Sequence, residues 1–149
     1  MSPGIEVYNR QRARRVNLGW LRRFAPLALE GCLPHSDDGR FHLRSLPEVE
    51  MTIVSDRVIA QVHRDFMDIP GATDVITFEH GEIVMSAETA QQYADEHGHS
   101  LEKELALYMV HGLLHLNGYE DGTSRDAARM KKVQTRVWKC CLAQLIIAP

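Results

Sequence analysis

A mixed α/β domain with about four strands and about five helices is the fold class this sequence predicts, on three observations. Short alternating or β-branched apolar segments are interspersed with longer segments whose apolar residues recur at helical spacing. Serine, threonine and glycine stand where those helices should start and stop. The chain of 149 residues, 44% hydrophobic and 25% charged, suits one domain, 1–149, around one core.

Residues 5–8 alternate and read as a short first strand. Over residues 12–29 the apolar positions Val16, Leu18, Trp20, Leu21, Phe24, Leu27 and Leu29 predict a helix, with Arg12, Arg14, Arg15, Arg22 and Arg23 on its wetter side. Gly31 and Pro34 punctuate its end, and residues 35–47, polar and turn-rich, read as a loop. Residues 49–54 alternate as a second strand. Ser55 and Asp56 can cap a helix running to about Phe66, before the turn at Pro70-Gly71. Residues 74–78 and 82–85 are two further strands, and the His80-Gly81 gap predicts an antiparallel hairpin. Ser86 caps a helix through about His97, which Gly98 ends. Ser100 caps the next, with Glu102 in its first turn and Gly118 as its stop. Thr123-Ser124-Arg125-Asp126 resembles a capping box for a last helix carrying Met130, Val133, Val137 and Leu142.

Apolar runs are too short to span a bilayer, and the first residues do not form a signal peptide, so a cytoplasmic location without membrane association is expected. Cys32, Cys140 and Cys141, an odd number with one adjacent pair, make a poor disulfide framework and read as buried or partly buried thiols. The net charge of −3 is unevenly spread. Residues 45–122 hold three Lys/Arg against fifteen Asp/Glu, whereas residues 1–44 hold eight against four and residues 123–149 six against one. An acidic centre suits a cation site, and basic ends can meet phosphates.

The segment that carries chemistry is His111-Gly112-Leu113-Leu114-His115-Leu116-Asn117-Gly118-Tyr119-Glu120-Asp121. Histidines at i and i+4 share one helix face, so both imidazoles can reach one ion. Gly118 lets the chain leave the helix with positive φ, and Asp121, three residues on, can return a carboxylate as third ligand. Three protein ligands leave a fourth position open, the mark of a catalytic zinc site. His111 and His115 are thus candidate catalytic and metal-binding residues, with Asp121 as third ligand and Glu120 as fallback. His63, His80, His97 and His99 show no ligand spacing. Thr73 and Asp74 open a strand and can shape the pocket.

The segment resembles the metzincin protease motif in its two histidines, its glycine and its third ligand position. Those enzymes place a glutamate general base where this chain has Gly112, which argues against a small metallopeptidase. It resembles more closely the YbeY family of bacterial rRNA-maturation endoribonucleases, whose signature reads His-Gly-x-Leu-His-Leu-x-Gly-Tyr-Asp-His. His111, Gly112, Leu114, His115, Leu116, Gly118 and Tyr119 match. A second block, Thr73-Asp74-Val75-Ile76-Thr77-Phe78 followed by Gly81-Glu82-Ile83, is similar to the family's Thr-Asp-Val-Leu-Ser-Phe and Gly-Asp-Ile, and the resemblance covers roughly residues 48–140.

The resemblance implies a metal-dependent hydrolase that cuts single-stranded RNA during ribosomal RNA maturation and ribosome quality control, in association with the small ribosomal subunit. Arg14, Arg15, Arg22, Arg23, Lys131, Lys132 and Arg136 are candidates for the RNA backbone. Two departures stand out. The family's third histidine and its aspartate fall at Asp121 and Glu120, which makes the site less positive and should make a bound water less acidic. The family's phosphate-holding arginine falls at Met67; Arg64, one helical turn earlier, is its candidate substitute as a catalytic residue. These losses motivate a second reading, a ribosome-associated metal-binding protein with weak or no catalysis.

Overall fold

Strand alternation sorts the apolar side chains onto two faces of one sheet. The computed structural model describes residues 2–147. In β2 (Glu48–Val54), Val49, Met51 and Ile53 enter the main core while Val54 joins a smaller cluster on the opposite face. β4 (Glu82–Ser86) repeats this, with Ile83 and Met85 on the main face and Val84 on the other. β1 (Gly4–Asn9) runs parallel to β2, β2 parallel to β4, and β3 (Val75–Phe78) antiparallel to β4, in the order β1-β2-β4-β3. The antiparallel hairpin read from residues 74–85 is thus present; Gly81 turns it at φ +112°, where a Cβ would meet the Glu48 carbonyl oxygen at 2.6 Å.

Helices α1 (Leu18–Cys32), α5 (Leu101–Leu116) and α6 (Ser124–Ile147) build the main core with the sheet. α3 (Asp56–Met67) closes the other face through Ile59 and Val62, and α4 (Ala87–His97) packs on α5. The cap residues act as their sequence positions suggest. Ser55, Ser86 and Ser100 hydroxyls accept from the backbone N–H of Val58, Thr89 and Lys103, and Thr123 Oγ1 accepts from Asp126 N–H.

The fold is therefore the mixed α/β type expected, with six helices among the described residues rather than about five. The added helix is α2 (His42–Ser45), one turn inside the segment read as a loop. The first helix starts at Leu18, not Arg12, because the Asn17 side chain caps it by accepting from Trp20 N–H; Arg12, Arg14 and Arg15 precede it. Gly31 does not stop that helix. It faces α6, where a Cβ would meet Val137 Cγ1 at 3.0 Å and Cys141 Sγ at 3.3 Å. Cys32 and Cys141 are buried free thiols whose pKa values burial pushes up, that of Cys141 to about 11, while Cys140 is exposed. No helix is long and apolar enough among the described residues to cross a membrane.

α5 lies unusually close to the sheet at Gly112. A Cβ there would meet Ile83 Cδ1 at 2.6 Å, and Ile83 is fully buried, so little can yield. Gly112→Ala is expected to cost about 1–3 kcal/mol in urea unfolding, as overpacking does; an unchanged midpoint would show that Ile83 repacks freely.

Candidate metal centre

His111 and His115 stand on one face of α5, and their partners fix which ring nitrogens face each other. His115 Nδ1 donates to the Tyr119 carbonyl oxygen at 2.8 Å, so its Nε2 carries a lone pair when the ring is neutral. His111 Nδ1 lies 2.6 Å from Gln134 Oε1 on α6, which aims its Nε2 at the same point. The two Nε2 atoms are 3.0 Å apart, with the rings nearly perpendicular at 86°.

Asp121 completes the group. α5 ends as Gly118 turns at φ +99° and Tyr119 N–H returns to the Leu114 carbonyl. The loop then brings Asp121 Oδ2 to 3.5 Å from both Nε2 atoms. Ligands 2.0–2.1 Å from a tetrahedral zinc ion lie about 3.3 Å from one another. The observed 3.0, 3.5 and 3.5 Å bracket that separation, so the residues present fit such an ion without moving a helix. Burial, and then the neighbouring His115, push the His111 pKa down, which favours the neutral ring a metal requires.

These donors open into a cleft of about 810 Å3. Thr73 and Asp74 line it, as does Glu120, which is not one of the three clustered donors. Asp38, also on the wall, is held down at about 2, first by its hydrogen bond with His42 and then by the Arg40 backbone N–H. The cleft is acidic: Asp38, Asp74, Glu79, Glu120 and Asp121 face it, and among the described residues no Lys or Arg does.

The structure does not bring Arg64 to this site. Its side chain is exposed beside Asp65, at 3.8 Å, and the α3 residues on the cleft wall are His63 and Met67. His63 is thus closer to the chemistry than its spacing suggested, while His80 is exposed and pairs with Glu82 at 3.5 Å. Arg22 is committed to the Val7 carbonyl oxygen of β1, and none of the other candidate RNA-backbone residues lines the cleft. His97 and His99, read as lacking ligand spacing, converge on Glu104 instead.

Gln134, Asn117 and Asp38 were not legible as site residues. A trace of Gln134 exists, since it is a polar residue four after Met130 on the stripe that packs into the core. Partners that orient a ligand histidine are worth about 10–100-fold in metal affinity. Gln134→Ala is accordingly expected to weaken zinc binding within that range in a chelator competition; an unchanged affinity would show that Gln134 does not hold His111.

Comparison with known proteins identifies the family to which the chain is similar. The family model Endoribonuclease YbeY matches residues 28–141. A Nocardia farcinica protein named Endoribonuclease YbeY is 35% identical over 118 residues, covering 66% of this chain and 64% of the relative. Proteins of that name from Helicobacter pylori (39% over 98 residues, covering 60% of this chain and 70% of the relative) and Mycobacterium leprae (33% over 120 residues, 68% and 67%) are also similar. The match spans only 35% of the Myxococcus xanthus relative. The solution structure of a Thermotoga maritima protein shares the fold, with a TM-score of 0.57 at 22% identity, covering 94% of this chain and 93% of that one. With 114 residues, 28–141, inside the family model, the chain belongs to the YbeY family.

Proposed function

We propose that the chain is a metal-dependent endoribonuclease that hydrolyses single-stranded RNA in ribosomal RNA maturation, with His111, His115 and Asp121 holding one zinc ion. The observation that carries it is the convergence of three donors, at separations a tetrahedral ion requires, on the wall of an open cleft. A zinc ion there would polarise a phosphoryl oxygen and make a water more acidic. The protein's part is positioning. Tyr119 O and Gln134 Oε1 lock the two rings, and the acidic wall concentrates cations. Arg64 has no place in this proposal. Besides the two ligand histidines, the imidazoles on the wall are His42 and His63. The basic residues of α6, Lys131, Lys132 and Arg136, are exposed and remain candidates for the RNA backbone, with the small ribosomal subunit as partner and the cytoplasm as location.

The second reading, a ribosome-associated metal-binding protein without cleavage, is favoured by the lack of Lys or Arg on the cleft wall. Cleavage of a single-stranded RNA by zinc-loaded protein, beside His115→Ala, separates the two. Cutting by the first and not the second supports the enzyme; equal inertness with ribosome association retained supports the binding protein. RNA affinity should also fall steeply with salt, by about 10³-fold or more between 50 and 200 mM if six or more phosphates are contacted. A flat salt dependence in a binding titration would remove the basic residues from the interface.

A further inference from the structure

Glu104, near the start of α5, is 2% exposed, and a buried carboxylate needs compensation. Two histidines on the α4–α5 corner supply it through one oxygen. His97 Nδ1 lies 3.2 Å and His99 Nε2 2.6 Å from Glu104 Oε1, and the donor atoms of all three residues lie within 4.8 Å of one another. His97 is the last residue of α4 and Gly98, at φ +72°, reverses the chain so that His99 and Glu104 meet it.

A second observation points to a ligand here. Tyr108, one turn along α5, is 4% exposed, and its hydroxyl has no hydrogen-bond partner among the described residues. Tyr108, His97 and Glu104 line one cavity of about 330 Å3, space that a ligand of the cluster would share. Burial, and then the charge and hydrogen-bonding influence of the nearby Glu104, keep this phenol protonated and able to donate. Hydrogen bonds between the histidines and Glu104 satisfy the carboxylate but leave that phenol unpaired. A metal ion with an open coordination position, filled by water or an anion, would satisfy both.

We propose that His97, His99 and Glu104 form a second site, for a borderline divalent ion of the zinc, cobalt and nickel class. Two imidazoles and one carboxylate are a donor set for those ions, and not the all-oxygen set that magnesium or calcium takes. Binding displaces protons from the imidazoles, the ordinary competition at a histidine site. The cavity also reaches His111 and Gln134, so it adjoins the first centre.

The test counts zinc bound per chain by calorimetric titration in the unaltered full chain and its variants. The unaltered protein should take two ions. His115→Ala, which disables the first centre, should still take one, and His97→Gln/His99→Gln should take one at the first centre's affinity. In the His115→Ala background, adding His99→Gln should weaken the remaining site by more than tenfold, and the Tm rise on adding zinc should vanish with it. His115→Ala protein that is folded and binds no zinc overturns the proposal. So does a zinc site in the His115→Ala background that survives the further changes His97→Gln and His99→Gln. Loss of the first centre alone, with one ion retained through His97 and His99, would contradict the proposed nuclease site and leave this one standing.

Discussion

His115→Ala should lose zinc at the first centre and RNA cleavage together while staying folded. Each ligand histidine supplies one of three donors, and no other donor stands within reach of the group formed by His111, His115 and Asp121 among the described residues. Because outer partners alone are worth about 10–100-fold in affinity, removing a ligand should cost more than about 100-fold. His115 is partly buried, and among the described residues its side chain meets Tyr119 O, the His111 ring and Asp121, all within the site, so the fold should tolerate the change better than the site does. Affinity by chelator competition, with circular dichroism as the folding control, reads this. Retained cleavage at unaltered rate in protein freed of zinc would break the link between centre and reaction.

Asn117→Leu should produce the largest loss of stability of any conservative change near the site. Asn117 is fully buried at the end of α5. Its Nδ2 donates to the carbonyls of Cys32, at 3.2 Å, and His35, while its Oδ1 accepts from Leu43 N–H at 3.1 Å. One side chain thus ties the 33–43 segment to α5, the helix of the proposed ligands, and that segment carries Asp37, Asp38 and His42. Leucine keeps the branched shape but orphans two or more buried backbone groups, each worth about 1–3 kcal/mol. A loss of about 3 kcal/mol in urea unfolding is expected, together with faster amide exchange across residues 33–43. A loss below about 1 kcal/mol would mean that the segment finds other partners.

Much of this architecture could be read along the chain because it is local. The period-2 alternation of Val49, Met51 and Ile53 marks β2, and serines at positions 55, 86 and 100 mark three helix starts that the hydrogen bonds confirm. His111 and His115 were readable because four residues make one helical turn, and Gly118 because only a positive φ reverses the chain there. What escaped was set by pairing across the sequence. Gln134 meets His111 over 23 residues, and Asn117 meets His35 over 82. The parallel partners of β2 follow from core packing on both faces, which no short pattern encodes. Arginines at 12, 14 and 15 extended an apparent helical period past its true start because Asn17, a good cap, was not weighed against it. His97, His99 and Glu104 were missed because a helix break at Gly98 separates them, so neither helical nor strand spacing applies.

Asp121 is the member of the centre that spacing places and the family pattern does not share. Its zinc affinity is best measured in a His97→Gln/His99→Gln background, so that only the first centre contributes. Asp121→Ala should bind zinc more than about 100-fold more weakly, whereas Glu120→Gln should match its parent and Asp121→His should restore binding. Undiminished zinc affinity in Asp121→Ala would contradict the three-ligand centre on which this account rests.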